Sequence, residues 1–301
     1  MKLIDIVKKM IYYFIRLSSE FGKRMGTTGG DAMSGKMLSK GDRRREQIMN
    51  LLKRQGKITI QEIIDKFACS EATARRDLDL LEKQGGLIRS LGGAQLDTPS
   101  PSAGREVPFN EKKELLWLEK EAIAAKAASL VEEGDVIGLS GGTTTFLIAR
   151  ELKLRRGITV VTNAVNIAME LSESDGIQVV LTGGVMRSNS FELCGPLAEK
   201  IVDSVNIGMM FLGVDGVTEE QGLTTFSEQE ADIARLMLKR SRRTVAVFDH
   251  TKVGRTSLFS IAPLTAVQGC MTNQPADEKL KRHLEEQGIA LYLAELATPV
   301  L

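Results

Sequence analysis

From Gly134 onward, six short apolar runs alternate with stretches of helical periodicity. The runs predict buried strands, and their sequences are DVIGL, ITVVT, IQVVLT, MMFLGV, TVAVFD and IALYL. Between and after them, helical patterns lie near 145–153, 164–172, 196–204, 228–241 and 276–287. This alternation is typical of an α/β domain with a mainly parallel, Rossmann-like sheet. Because ligands of such sheets bind beyond the carboxyl ends of the strands, the residues at those ends are the candidate ligand contacts.

The first predicted strand leads into a loop of glycines and hydroxyl residues, 140–145, and then into a helix. Glycines let the backbone approach an anion, and a helix N-terminus favours negative charge, so the loop suits a phosphate. It matches neither GxGxxG nor a loop ending in GK[ST], so dinucleotide or nucleoside triphosphate binding is not indicated. A tight strand-to-helix turn with a threonine cap fits the same residues equally well.

The other strand ends are also polar, with Asn163, Gly184, Asp215 and Asp249 following successive strands and Lys252 close behind. Each can be explained as ordinary turn chemistry. Together they predict a pocket for a small polyol that carries a phosphate. Lys252 would neutralise the phosphate, unless it only forms a structural salt bridge, while Asn163 and the two aspartates would bind hydroxyl groups.

A different pattern precedes this domain. Ile48, Leu51 and Leu52 are spaced as on one helix, a second short helix opens at Thr59 or Ile60, and Ser70 is a good N-cap for a third. Three short helices with a tight turn before the third predict a helix-turn-helix, and the following GGLIRSLGGAQL predicts a hairpin, the wing.

The predicted third helix has an apolar face made of Ala74, Leu78 and Leu81. Thr73 and Arg76 then point nearly opposite, which suits contacts with the major groove of DNA. A solvated charged face is the alternative. Residues 36–96 carry 13 Lys and Arg against 8 Asp and Glu, a basic balance that fits a polyanionic partner.

The composition shifts indicate the domain boundaries. We expect residues 1–36 to be a leader that is disordered or not translated, 37–96 a winged helix-turn-helix domain, 97–112 a Pro-, Gly- and Ser-containing linker, and 113–301 the α/β domain. Helical residues 113–131 either begin the second domain or form a dimer arm. The apolar stretch in the leader is interrupted by charges, which argues against a membrane span or a signal peptide.

Cysteine and histidine usage narrows the function classes. The three cysteines form no CxxC pair, and the only histidines are His250 and His283, so we expect neither a disulfide framework, a metal site nor a cofactor. The cysteine count fits a cytoplasmic protein.

The segments SEATARRDLDLLEKQGGLIRSLGGA, IGLSGGTTTFLIAREL, TVVTNAVNIA, VVLTGGV, MMFLGVDGV, GLTTFSEQEA and FDHTKVG, in this order, resemble the DeoR family of bacterial transcriptional regulators. The resemblance implies a repressor whose C-terminal domain is similar to sugar-phosphate isomerases and senses a phosphorylated sugar. Together with the basic positions in the first helix and the wing, it gives as DNA contacts Arg43, Arg44, Ser70, Thr73, Arg75, Arg76 and Arg89. The expected effector contacts are Ser140, Gly142, Thr143, Thr144, Thr145, Asn163, Gly184, Asp215, Glu230, Asp249 and Lys252.

The leading hypothesis is therefore a DNA-binding repressor of a carbohydrate-utilisation operon, released from its operator by a phosphorylated sugar. We expect it to be a homo-oligomer, a dimer or tetramer, with double-stranded operator DNA as its partner and no membrane association. The alternatives are a sugar-phosphate isomerase with an appended DNA-binding domain, in which Asp215, Asp249 and Lys252 act as acid and base, and an interaction module with an inert α/β domain.

Overall fold

The computed structural model describes residues 39–97, 106–273 and 278–296. The leader expected at 1–36 lies outside these residues. The chain divides into two compact units, 1–42 and 43–301. Of the first, only 39–42 is described, where the Ser39 hydroxyl accepts a hydrogen bond from the Asp42 amide at 3.1 Å and so caps the start of a helix.

Three helices and a small sheet form the N-terminal domain, which confirms the predicted winged helix-turn-helix. The elements are α1 (Lys40–Gln55), β1 (Lys57–Thr59), α2 (Ile60–Phe67), α3 (Glu71–Gln84), β2 (Leu87–Ser90) and β3 (Gly93–Leu96). The strands pair antiparallel in the order β1-β3-β2, so that the predicted wing hairpin, β2 and β3, gains a third strand that the sequence did not reveal.

Side-chain caps set the helix-turn-helix geometry. Thr59 and Glu62 form a capping box at the start of α2, and the Ser70 hydroxyl accepts a hydrogen bond from the Thr73 amide at the start of α3. Between the helices Ala68 adopts a left-handed conformation with φ of 47°, which turns the chain sharply. The predicted apolar face of α3 is confirmed, since Ala74, Leu78 and Leu81 are buried.

The second domain is built on a seven-stranded sheet in the order β15-β14-β12-β9-β4-β5-β6. Every pair in this sheet is parallel, which confirms the predicted α/β class. Its strands are β4 (Val136–Leu139), β5 (Ile158–Thr162), β6 (Ile177–Leu181), β9 (Ile207–Gly213), β12 (Ser241–Val247), β14 (Gly269–Thr272) and β15 (Ala290–Leu293). Two hydrophobic clusters form the core of this domain, and a third fills the N-terminal domain.

Helices and short hairpins surround the sheet. The helices are α4 (Phe109–Glu114), α5 (Trp117–Ala128), α6 (Thr143–Leu152), α7 (Val165–Leu171), α8 (Pro196–Asp203), α9 (Glu228–Lys239) and α10 (Glu278–Glu286). The additional strands are β7 (Val185–Met186), β8 (Leu193–Cys194), β10 (Gly216–Thr218), β11 (Gly222–Thr225) and β13 (Phe259–Ala262), and short 3-10 turns span His250–Lys252 and Leu264–Ala266. No helix of the described residues is long and apolar enough to cross a membrane.

The helical segment expected at 113–131 differs from the prediction. It consists of two helices, because Leu115 is extended, with φ of -87° and ψ of 131°, and Leu116 is left-handed, with φ of 52°. Helix α4 already begins at Phe109, inside the segment 97–112 that the sequence indicates as a linker. Ile123, Ala124 and Ala127 of α5 are fully buried, so this helix belongs to the core of the second domain.

Candidate functional site

The outer face of α3 carries the polar residues predicted to meet DNA. Arg76 is exposed and has no hydrogen-bond or ion-pair partner among the residues that the structure describes, while Thr73 is half-buried near the helix start. Arg75 lies beside them, and its Nη2 is 2.6 Å from Oε1 of Glu71 one turn earlier in the helix. With Ser70 at the N-cap, these residues form one polar surface at the first turns of α3.

The basic residues of α1 serve different purposes. Arg43 is exposed, whereas Arg44 and Arg45 hold the buried carboxylate of Asp77 on α3. The Arg44 Nε lies 2.5 Å from Oδ2 of Asp77, and Nη1 of Arg45 lies 3.1 Å from Oδ1. Arg44 therefore joins α1 to α3, a structural role that the sequence did not indicate, and its predicted contact with DNA stays a prediction.

Arg89 joins the wing to the rest of the domain. Its Nη1 donates to the Gly93 carbonyl at 3.1 Å, and its Nε lies 3.5 Å from Oδ1 of Asp79 on α3. Leu91, at the tip of the wing, is fully exposed. The wing is thus anchored to α3 and presents its tip to solvent.

The second candidate site is a cavity of about 350 Å³ at the carboxyl edge of the parallel sheet, where β4, β9 and β12 end. Of the predicted effector contacts, eight line this cavity: Ser140, Gly142, Thr143, Thr144, Asp215, Glu230, Asp249 and Lys252. Its size lies within the range of small-molecule sites, about 300 to 1,000 Å³. Most of the contacts predicted from their positions at the carboxyl ends of strands thus lie in one pocket.

The loop between β4 and α6 forms one wall. The Ser140 hydroxyl accepts from the Gly213 amide at 2.9 Å and so ties the loop to the end of β9. Gly142, with φ of 126°, precedes α6, and no side chain caps that helix. The start of α6 therefore opens on the cavity, as an anion site requires.

Asp215 and the lysines form the charged part of the wall. The Lys112 Nζ lies 2.7 Å from Oδ1 of Asp215, and the Lys252 Nζ lies 3.8 Å from the same oxygen. Burial opposes ionisation of Asp215, but the two ammonium groups outweigh it and hold its pKa well below the usual range. Lys252 therefore forms a salt bridge, the structural role that the sequence left open, and it also lines the cavity.

Lys120 and Asp249 lie deeper. The Lys120 Nζ donates to the carbonyl oxygens of Lys112 and Leu115, both at 2.7 Å. Burial lowers the pKa of Lys120 to about 8, although the Asp249 carboxylate acts in the opposite direction. Burial also opposes ionisation of Asp249, yet Lys252 and Lys120 keep the pKa of that carboxyl below its ordinary value.

Glutamates complete the opposite wall. Glu230 accepts from Nε of Arg187 at 3.0 Å, and Glu192 accepts from Nδ2 of Asn163 at 2.9 Å. Burial and the nearby Glu230 raise the pKa of Glu192 well above the usual range. Glu192 also fills the space above Gly141, where an added Cβ would lie 2.1 Å from the glutamate side chain.

Three predicted effector contacts do not line the cavity. Thr145 is buried and donates to the Gly142 carbonyl at 3.0 Å, Asn163 is buried behind Glu192, and Gly184, φ 119°, approaches the backbone of Cys194. These three residues lie behind the cavity wall, and their direct contact with an effector stays a prediction.

Sequence reasoning missed Lys112, Lys120 and Glu192 on the cavity wall. Lys112 falls in the segment that the sequence indicates as a linker, and Lys120 looks like an ordinary charged residue of a helix face. No local motif could have found them, because their place in the site follows from the way α4 and α5 pack on the sheet.

Comparison with known proteins assigns both halves of the chain. Residues 117–274 match the DeoR C terminal sensor domain, and residues 44–100 match the DeoR-like helix-turn-helix domain. The chain belongs to the DeoR family. This DeoR-family chain is 34% identical to the "Putative aga operon transcriptional repressor" of Escherichia coli O157:H7, over 82% of this chain and 92% of that protein.

Two further relatives of the DeoR-family protein also bear the names of repressors. It is 39% identical to the "Lactose phosphotransferase system repressor" of Lactococcus lactis subsp. lactis, over 71% of this chain and 83% of that protein. It is 29% identical to the "Glycerol-3-phosphate regulon repressor" of Escherichia coli K12, over 83% of this chain and 98% of that protein. The DeoR-family chain is thus a transcriptional regulator with a DNA-binding domain and a sensor domain, and not the isomerase considered as an alternative.

Proposed function

We propose that the protein represses a carbohydrate-utilisation operon and leaves its operator when a phosphorylated sugar fills the cavity of the sensor domain. The names of the relatives support the class of regulated genes. The observation that carries the choice of effector is the cavity itself, which combines an open helix start with a cluster of ammonium and carboxylate groups.

In this proposal the phosphate binds at the start of α6, against Gly142, Thr143 and Thr144. The backbone amides of the first helical turn have no intrahelical partner and attract anions. Lys252 supplies a positive charge on the facing wall and, because its distance from Asp215 is 3.8 Å, can turn to the phosphate without breaking a close ion pair. Carboxylates suit hydroxyl groups, so Asp215, Asp249 and Glu230 would orient the sugar.

Operator DNA would contact the outer face of α3 through Ser70, Thr73, Arg75 and Arg76, with Arg43, Arg44 and Arg89 against the phosphate backbone. Arginine reads guanine edges in the major groove and also binds phosphates. We propose a homo-oligomer, a dimer or tetramer, because helix-turn-helix regulators bind paired half-sites one helical turn apart. Its place of action would be the cytoplasm, where the operator lies.

The test combines ligand binding with DNA binding. Thermal melting of the purified protein is measured with fructose 1-phosphate, fructose 6-phosphate, glucose 6-phosphate and glycerol 3-phosphate, each matched by its unphosphorylated parent compound. A ligand at 100 times its dissociation constant stabilises the native state by about 2.7 kcal/mol. We expect a shift with one or more phosphorylated compounds and none with the matched parents.

Operator fragments are selected by binding from a random DNA pool, and their release is followed by fluorescence anisotropy. We expect the compound that shifts the melting midpoint also to release the DNA, and we expect the affinity for DNA to fall steeply with salt. Melting shifts with the parent sugars alone would argue against the phosphate site. Failure of every compound to release bound DNA would argue against the proposed effector class.

A further inference from the structure

The segment 112–120, here named the coupling segment, touches both the effector cavity and the DNA-binding domain. On the cavity side, Lys112, Leu115, Leu116 and Lys120 line the wall. Lys112 forms the 2.7 Å ion pair with Asp215 at the end of β9. The segment therefore places its charged groups where an anionic ligand would compete for them.

Lys120 holds the two halves of the coupling segment together. It is 4% exposed, and its Nζ donates to the carbonyl oxygens of Lys112 and Leu115 at the end of α4. The Lys112 carbonyl also accepts from the Leu115 amide at 3.2 Å, and Leu115 itself lies just past the end of α4 at Glu114. A change in the position of α4 is thus passed to α5 through one buried ammonium group.

On its other side the coupling segment contacts the end of α1. The Leu116 amide donates to the Lys53 carbonyl at 2.7 Å. Gly56, which follows α1 with φ of 70°, lies against the Leu116 side chain, so that an added Cβ would be 2.6 Å from Cδ2 of Leu116. Leu116 is therefore in direct contact with the DNA-binding domain and with the cavity.

The backbone of Leu116 takes a conformation that its residue type disfavours. It is left-handed here, φ 52°, which is uncommon for a bulky residue that is not glycine. Leu115 before it is extended, with φ of -87° and ψ of 131°, so these two residues together interrupt the single helix that the periodicity of 113–131 predicts. Surrounding contacts, not local preference, thus hold the break between α4 and α5 open.

We propose that Leu116 is the positioning residue that transmits occupancy of the cavity to the DNA-binding domain. A ligand anion draws the Lys112 ammonium away from Asp215, α4 moves, and the contact of Leu116 with Lys53 and Gly56 changes. Because Arg44 and Arg45 of α1 hold Asp77 of α3, the movement of α1 displaces α3, the helix proposed to contact DNA. This inference rests on the proposed function.

The test uses the full chain and the substitution Gly56→Ala. Gly56 does not line the cavity, so its replacement disturbs Leu116 from the side of the DNA-binding domain. The matched control is Gly85→Ala, because Gly85 also follows a helix with positive φ, 85°, but has no atom within 4 Å of an added Cβ. The measured quantity is the ratio of operator dissociation constants with and without the releasing compound from the panel of four sugar and glycerol phosphates.

We expect Gly56→Ala to reduce this ratio at least tenfold while the dissociation constant for the phosphorylated compound, measured without DNA, changes less than threefold. Gly85→Ala should keep the ratio of the wild type. An unchanged ratio in Gly56→Ala overturns the inference and leaves the proposed function intact. Failure of all four compounds to release the wild type counts instead against the proposed function.

Hydrogen–deuterium exchange of the wild type tests the role of Leu116 without requiring that any variant folds. On addition of the releasing compound, we expect altered exchange at 115–120 and at 52–57, in addition to the loops of the cavity. Changes confined to the loops at the ends of β4, β9 and β12 would overturn the inference.

Discussion

The ion pair between Lys112 and Asp215 allows a quantitative prediction. Replacing Lys112 with Met retains the length of the side chain but removes the charge. The two side chains are 26% and 20% exposed, so solvent screens the pair only partly. Two unit charges 4 Å apart attract by about 4 kcal/mol at an effective dielectric constant of 20, whereas fully exposed pairs contribute at most about 1 kcal/mol.

We expect a coupling free energy of about 2 to 3 kcal/mol between the two residues. Lys252, at 3.8 Å, remains as a second partner and keeps the Asp215 carboxylate from being left without a counter-charge. The coupling is obtained from a double-mutant cycle of Lys112→Met and Asp215→Asn. Unfolding in urea is followed by the fluorescence of Trp117, which is the only tryptophan of the chain and belongs to the same domain.

The contribution of the Lys112–Asp215 pair to stability depends on pH. Because the pKa of folded Asp215 lies below its unfolded value, its stabilisation is present above the ordinary value of about 4 and is lost as the pH falls through the folded pKa. In Lys112→Met the pKa of Asp215 rises. The difference in unfolding free energy between wild type and variant should therefore be smaller below about pH 4 than at pH 6. A coupling below about 0.5 kcal/mol, or one that does not change on acidification, would refute the reasoning.

Three further results are expected from the two sites. Arg76→Ala should weaken binding to the selected operator by about 1 to 3 kcal/mol without changing the melting midpoint. The control Lys83→Ala, at the far end of α3, should leave the affinity for the operator unchanged. If Arg76→Ala binds the operator as tightly as the wild type, Arg76 is merely a solvated residue. Lys252→Ala should weaken binding of the phosphorylated compound at least tenfold in a melting titration and keep the protein on DNA in its presence; loss of DNA binding instead would contradict the assignment. Gly141→Ala should abolish the ligand-induced melting shift, because its Cβ would displace Glu192, and a normal shift would show that the wall can rearrange.

The elements with strong local patterns were predictable from the sequence. All six apolar runs contribute strands to the parallel sheet, and Ser70 caps α3 as its hydroxyl predicts. The unpredicted strand β14 has the sequence GCMT, which shows neither alternation nor β-branched enrichment. It is a strand because its backbone pairs with β12 and β15, a tertiary cause that no local window contains.

The part of the site that escaped prediction depends on contacts between distant segments. Arg44 looks like a DNA contact because the carboxylate that holds it, Asp77, comes 33 residues later. Lys112 meets Asp215 across 103 residues, and Leu116 takes its left-handed conformation where it meets the end of α1. Local sequence patterns thus predicted the ligand site at the edge of the sheet and the DNA-facing side of α3. The lysines of α4 and α5 could be assigned to the cavity only from the packed structure.

The DNA-binding domain has a hydrophobic cluster of its own, in which Ile48, Ile63 and Leu78 are fully buried, separate from the two clusters of the sensor domain. A side chain in one cluster therefore packs against members of its own cluster and not against those of the other two. Over evolutionary time, such a chain can change the outer surface of α3 and the residues at the edge of the parallel sheet independently of each other. For engineering, the same separation favours chimeras in which the sensor domain of one regulator controls the DNA-binding domain of another, provided that the contact between Gly56 and Leu116 is carried over intact.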